Sequence, residues 1–197
     1  SEAPLFVAAS VGPYGAALAD GSEYTGRYGR TGAQLRDFHG PRLELLAAAG
    51  PDLLAVETIP DADEAEVLRP LLDEIGVPAW FSYSVAAGAT RAGQPLASAY
   101  EVLRGSTTIR AAGANCSAPA DIPAALRTAV AVTGLPGVAY PNRGEAWDNT
   151  SHTWAGSGTF DPREVRRWID SGAQLVGGCC RVGPDDIAAI ADVAAAS

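Results

Sequence analysis

The stretch Ala173-Gln174-Leu175-Val176-Gly177-Gly178-Cys179-Cys180-Arg181 joins a short apolar run to two glycines and two adjacent cysteines. A helical segment follows from Pro184, a residue typical of a first helical turn. We interpret the stretch as a strand that ends in a tight turn, which glycine permits, and leads into a helix. The third cysteine, Cys116, ends a similar apolar run at 111–115. Three thiols at strand ends could meet at one metal ion.

The same strand and helix pattern recurs along the whole chain. The predicted strands are 4–11, 52–60, 77–84, 108–116, 137–142 and 174–178, and the predicted helices are 35–49, 62–75, 97–103, 121–133, 161–171 and 184–195. Strict alternation predicts right-handed βαβ units and a parallel sheet. The near-continuous apolar run at 4–11 predicts a strand covered on both faces. Two long polar stretches, 12–32 and 143–159, are predicted to be functional loops.

Composition limits the class of protein. With 197 residues, 47% hydrophobic and 19% charged, the chain fits a single domain over 1–197. A net charge of -9 argues against nucleic acid or an anionic membrane surface as a partner. No apolar run approaches the ~20 residues of a membrane span and no signal peptide is recognisable, so we expect a cytoplasmic protein. All 14 basic residues are arginine, which excludes Schiff-base lysine chemistry.

Polar residues collect where the predicted strands end. They are Glu57, Ser84, Asn115, Cys116, Asn142, Glu145, Cys179 and Cys180. Active sites occupy this edge in a (β/α) barrel and in an open doubly wound sheet, so both architectures remain open at this point. Three thiolates suit zinc and leave its fourth position open, as in catalytic sites, and neither His39 nor His152 is placed to complete a structural set. The alternative is three small buried apolar residues.

The thiol set also indicates a kind of chemistry. Zinc held by three thiolates is electron-rich and favours binding and deprotonating a further thiol, so we expect a thiolate that attacks an electrophilic carbon. Glu57 is interpreted as an anchor for a cationic group such as an ammonium, and the alternative is a helix cap or an arginine partner. Glu145 is open to the same two interpretations.

Six segments together resemble the zinc-dependent homocysteine S-methyltransferases, in the branch that uses S-methylmethionine or S-adenosylmethionine. The matching segments are Ser10-Val11-Gly12-Pro13-Tyr14-Gly15-Ala16, Gly21-Ser22-Glu23-Tyr24, Glu57-Thr58-Ile59-Pro60, Asn115-Cys116, Tyr140-Pro141-Asn142 with Gly144-Glu145, and Gly177-Gly178-Cys179-Cys180-Arg181. The resemblance implies a (β/α)8 TIM barrel with zinc bound by Cys116, Cys179 and Cys180. It also implies that the zinc-bound homocysteine thiolate attacks the methyl group of the sulfonium donor to give methionine.

The resemblance further implies a substrate site and the absence of part of the barrel. Glu57 would hold the homocysteine amino group, and we expect Asn115, Asn142 and Glu145 to contribute to substrate binding. The family's first two β/α units have no counterpart, so we expect about six of eight units, resembling the C-terminal two-thirds of the family. We therefore expect an N-terminally incomplete barrel, completed by a missing segment or by a second chain. The alternatives are a betaine-using or folate/cobalamin-linked homocysteine methyltransferase, or a catalytically incompetent partial barrel that binds zinc or senses redox state.

Overall fold

The computed structural model describes residues 4–148 and 153–196, so His152 lies outside the described residues. The strands are β1 (Ala8–Val11), β2 (Leu53–Ile59), β3 (Ala79–Tyr83), β4 (Val85–Ala86), β5 (Ala89–Thr90), β6 (Ile109–Asn115), β7 (Gly137–Tyr140), β8 (Ala146–Asp148), β9 (Thr153–Ala155) and β10 (Ala173–Val176). The α-helices are α1 (Tyr14–Leu18), α2 (Gly32–Ala48), α3 (Ala62–Ile75), α4 (Leu96–Glu101), α5 (Ile122–Thr133), α6 (Glu164–Asp170) and α7 (Pro184–Ala195).

One six-stranded sheet organises the described chain. Its strand order is β1-β2-β3-β6-β7-β10, and every neighbouring pair is parallel. Consecutive members are joined through helices, which confirms the predicted α/β class and the six predicted strands. Parallel order places all six carboxyl ends at one edge of the sheet. The predicted polar cluster therefore lies at a single edge.

Strand residues divide between two faces. Leu54, Val56 and Phe81 are fully buried in a core shared with the helices, whereas Glu57 and Trp80 lie at alternate positions on the opposite face. Capping residues set the ends of the helices that pack on the buried face. For example, the Asp61 carboxylate accepts a hydrogen bond from the backbone N–H of residue 63 to start α3, which ends at the left-handed residue Gly76.

The structure differs in detail from three predictions, which concern the first strand and the two long polar stretches. Leu5 and Phe6 are 95% and 69% exposed, and β1 is a four-residue edge strand rather than a strand covered on both faces. The stretch 12–32 contains α1 and a 3₁₀ turn at Ser22–Tyr24, and 143–159 contains the β8–β9 hairpin. Short elements of this kind are stabilised by tertiary contacts rather than by a hydrophobic period, so the sequence pattern does not reveal them.

Within the described residues, no helix combines the length and the apolar character that crossing a membrane would require.

Candidate metal centre

The three cysteine thiols lie together at the carboxyl edge of the sheet. Cys116 follows β6, and Cys179 and Cys180 follow β10. The Cys180 Sγ lies 3.9 Å from the Cys116 Sγ and 3.9 Å from the Cys179 Sγ, and all three sulfurs fall within 4.8 Å of one another. Tetrahedral zinc with 2.3 Å bonds requires sulfurs about 3.8 Å apart. The thiol set therefore fits a single zinc ion.

Backbone geometry aims the thiols at one point. Cys116 adopts a left-handed conformation with φ of 48°, which turns its side chain out of the strand alternation. At Gly178 a Cβ atom would lie 2.1 Å from a Val182 methyl carbon, so only glycine fits before the cysteine pair. The Cys179 backbone N–H donates to the Pro141 carbonyl at 2.8 Å, which holds the pair against the end of β7.

Asn142 connects the two cysteine segments. Its side-chain Oδ1 accepts a hydrogen bond from the Cys180 backbone N–H at 3.2 Å, while its own backbone N–H donates to the Ser117 carbonyl at 3.0 Å. One residue therefore contacts both the turn that carries Cys116 and the turn that carries Cys180. These contacts let Asn142 hold the two cysteine-bearing turns together, which is its bracing role. Its contact with substrate stays a prediction.

The thiols perturb one another's protonation. Hydrogen bonds from the Cys116 and Cys179 thiols lower the pKa of Cys180 to about 3. Hydrogen bonds to Cys179 and Cys180, together with burial, raise the pKa of Cys116 well above its usual range. The shifts run in opposite directions because the three sulfurs lie close enough to share hydrogen bonds.

Tyr24, to which the sequence pattern assigned no role, lies beside this cluster. Burial, and next the charges of Cys116 and Cys180, raise the pKa of the Tyr24 hydroxyl well above its usual range. These causes place the tyrosine hydroxyl close to the Cys116 and Cys180 sulfurs. Its only sequence signal was membership of the Gly-Ser-Glu-Tyr segment, which carries no information about what the ring contacts.

Glu57 lies on the inner face of β2 with polar and aromatic neighbours. The Ser10 hydroxyl donates to its Oε1 at 2.6 Å. Burial, and then the Glu57 charge, raise the pKa of Tyr140, whose hydroxyl accepts a hydrogen bond from Trp80 Nε1 at 2.8 Å. Asp61 rather than Glu57 caps α3, and no described arginine contacts Glu57. These contacts disfavour both alternative interpretations of this carboxylate.

The remaining predicted site residues have protein partners. Asn115 is fully buried, and its amide accepts from the Thr58 backbone N–H at 2.7 Å and donates to the Thr58 hydroxyl at 2.8 Å. These bonds secure Thr58 in its left-handed conformation and join the end of β2 to that of β6. Glu145 pairs with Arg181 at 3.1 Å, which is the arginine-partner interpretation. Direct substrate contact by Asn115 and Glu145 stays a prediction.

A cavity opens beside the cysteine turn. It has a volume of about 310 Å³ and is lined in part by Trp80, Tyr140, Leu175 and Gly177. This volume is at the lower end of the range of small-molecule sites, and such sites are usually apolar with a few polar groups. Its Gly177 and Gly178 precede the cysteine pair in the chain, and none of the three cysteines lines the cavity itself.

Comparisons with known proteins agree with the family resemblance found in the sequence. The family model described as "Homocysteine S-methyltransferase" matches residues 1–194. Homocysteine S-methyltransferase 4 of Zea mays is 45% identical over 95% of this chain, and homocysteine S-methyltransferase 1 of Arabidopsis thaliana is 44% identical over 93%. The chain spans 58% and 59% of the lengths of these relatives.

Solved structures extend the comparison to the fold. The metallated form of the homocysteine methyltransferase MmuM from Escherichia coli superimposes with a TM-score of 0.82 at 41% identity. The match covers 98% of this chain and 62% of MmuM. The oxidised form of MmuM also gives a TM-score of 0.82, at 42% identity. These values agree with the predicted barrel-type α/β fold, of which the described sheet supplies six strands.

Proposed function

The chain belongs to the homocysteine S-methyltransferase family, and we propose that it forms the metal site and part of the substrate pocket of a methyltransferase. The enzyme transfers a methyl group from S-methylmethionine or S-adenosylmethionine to homocysteine and produces methionine. The arrangement of the three thiols carries this proposal, because sulfurs 3.9 Å apart match the edge of a tetrahedral zinc site.

Cys116, Cys179 and Cys180 are the residues that would hold zinc. Bound there, zinc would lower the pKa of a substrate thiol, so that homocysteine reacts as its thiolate near neutral pH. The chain's contribution is a preformed set of donors, held by the backbone bonds of the Pro141 and Asn142 segment. Preformed donors reduce the ordering that binding requires.

Glu57 is proposed to bind the ammonium group of homocysteine. The Ser10 hydroxyl donates to Oε1 at 2.6 Å, and Tyr140 interacts with the same carboxylate. An acidic side chain between a hydroxyl and Tyr140 suits a cation, and the protein's net charge of -9 favours approach of cationic substrates in general. A sulfonium donor is such a substrate.

The reaction balances without a general acid or base from the chain. Homocysteine releases its thiol proton to solvent when it forms the thiolate. The thiolate donates an electron pair to the donor's methyl carbon, and the bond between that carbon and the sulfonium sulfur breaks. Its electron pair stays on the donor sulfur, which leaves as a neutral thioether. The residues therefore have to align the two sulfurs about the methyl carbon and exclude water, and alignment alone accounts for large rate effects.

The test combines metal analysis with donor specificity. The purified protein is loaded with zinc, zinc per chain is measured, and methionine formation from homocysteine is followed with S-methylmethionine, S-adenosylmethionine or betaine. We expect one zinc per chain and turnover with a sulfonium donor. Turnover with betaine alone would favour the betaine-using branch. One zinc with no turnover from any donor would refute methyl transfer and favour a zinc-binding module.

A further inference from the structure

A buried carboxylate outside the metal site has no part in the chemistry described above. Glu64, in the first turn of α3, is 1% exposed, and its neighbour His39 on α2 is fully buried. Burying a charged carboxylate is costly unless hydrogen-bond donors surround it. The partners of Glu64 therefore show which parts of the chain the residue holds together.

Three donors from three segments converge on Glu64. Its Oε1 accepts from the Tyr14 backbone N–H at 2.6 Å and lies 2.8 Å from His39 Nε2, and its Oε2 accepts from the Tyr28 hydroxyl at 3.0 Å. Tyr14 begins α1, and Tyr28 follows the 3₁₀ turn at Ser22–Tyr24. One carboxylate thus fastens both ends of residues 14–28.

The segment between these two attachments is itself tightly packed. A Cβ atom at Gly15 would lie 2.5 Å from the Glu23 backbone nitrogen and 2.7 Å from the Tyr28 ring, so α1 lies directly against the 3₁₀ turn. The Arg27 backbone N–H donates to the Asp61 carboxylate at 2.8 Å, which adds a second attachment to the start of α3. The position of the turn is therefore set by α3.

The 3₁₀ turn ends at Tyr24, whose hydroxyl lies beside the Cys116 and Cys180 thiols. We propose that Glu64 is a positioning residue for the metal site, because it fixes residues 14–28 and so holds Tyr24 beside Cys116. The consequence for methyl transfer rests on the proposed function. The attachment of the segment and the accessibility of Cys116 do not, and they can be measured separately.

The experiment uses the variants Glu64→Ala and Tyr28→Phe, with Glu66→Gln as the matched control. Glu66 is exposed on the same helix, and no hydrogen bond or ion pair of the described residues joins it to Glu64 or its partners. Hydrogen–deuterium exchange is measured by peptide across the chain. Alkylation of Cys116 by iodoacetamide is timed in the zinc-free protein. Zinc per chain, kcat and KM are then measured in the zinc-loaded protein.

In Glu64→Ala, exchange in residues 14–28 and alkylation of Cys116 should each rise roughly tenfold or more, because buried donors lose their acceptor and the segment opens locally. Exchange in α5 and β6 and the zinc content should not change. Tyr28→Phe removes one donor and keeps the fold, so it should show the same pattern at a smaller amplitude. Glu66→Gln should behave as the unaltered protein.

Two outcomes would overturn the proposal. One is unchanged exchange in residues 14–28 in both network variants. The other is a uniform rise that includes α5 and β6, which would show general destabilisation instead of positioning. In an active protein, kcat should fall while zinc content holds. If the unaltered protein forms no methionine, the proposed function fails, while exchange and alkylation still decide the role of Glu64.

Discussion

Replacing Asn142 by alanine should weaken zinc binding about tenfold without unfolding the protein. The side chain contributes one hydrogen bond, from the Cys180 backbone N–H to its Oδ1 at 3.2 Å. A neutral bond of this kind is worth about 1 kcal/mol, and leaving its half-buried donor without a partner adds to the loss, so the total approaches the ~1.4 kcal/mol of a tenfold change. The backbone bond from Asn142 to Ser117 survives the substitution, so the fold should be kept.

The assay is a competition between the zinc-free protein and a chromophoric chelator, at fixed pH and ionic strength. Asn142→Asp is the matched control, because it retains an acceptor oxygen at the same position and should bind zinc within about threefold of the unaltered protein. Urea unfolding of the metal-free variants checks that the fold persists. Equal zinc affinity in Asn142→Ala and the unaltered protein would refute the bracing role and the reasoning from it.

Three further predictions concern stability and substrate binding. Gly113→Ala should destabilise by about 3 kcal/mol or more in urea unfolding, since a Cβ would meet a β7 backbone carbonyl at 1.9 Å. Gly32→Ala, where the Cβ meets only a side-chain methyl at 3.6 Å at the start of α2, should change the stability by less than about 1 kcal/mol. Burial opposes ionisation of Asp73, but bonds from neighbouring hydroxyls and a backbone N–H outweigh it and lower its pKa. Because the pKa of Asp73 is lower in the folded state, its stabilisation is complete above the unfolded pKa and is lost as the pH falls through the folded pKa. The difference in unfolding free energy between the unaltered protein and Asp73→Asn should therefore shrink below about pH 4, and a difference that stays constant would contradict this. Glu57→Gln should raise the KM for homocysteine roughly tenfold or more while Glu66→Gln leaves it unchanged, and an unchanged KM in both would remove the ammonium-binding role.

The sheet and the cysteine cluster were predictable from the sequence for a physical reason. Strands buried in a parallel sheet are continuous apolar runs, and their carboxyl ends must share one edge, so residues that follow β6 and β10 are brought together by topology alone. Topology places the cysteines at the same edge, and the left-handed turn at Cys116, which the strand pattern does not reveal, brings its thiol to the other two. The observed Sγ distances confirm that they converge.

Side-chain partners were less predictable, because they depend on tertiary contacts. Asn115 and Asn142 were expected at the substrate, and the structure shows their amides bonded to backbone groups beside the site. The buried Glu64 and His39 pair was not expected, since polar residues in an amphipathic helix pattern are ordinarily assigned to the solvent face. Nothing local in the sequence indicates that Tyr14 and Tyr28 supply donors to a carboxylate fifty and thirty-six residues away.

The most direct test of the central claim is X-ray absorption at the zinc edge of the loaded protein, with and without homocysteine. We predict three sulfur ligands at about 2.3 Å in the free protein, from Cys116, Cys179 and Cys180, and a fourth sulfur when homocysteine is added. Fewer than three sulfurs, or a ligand set that homocysteine leaves unchanged, would contradict the assignment of this site to homocysteine activation.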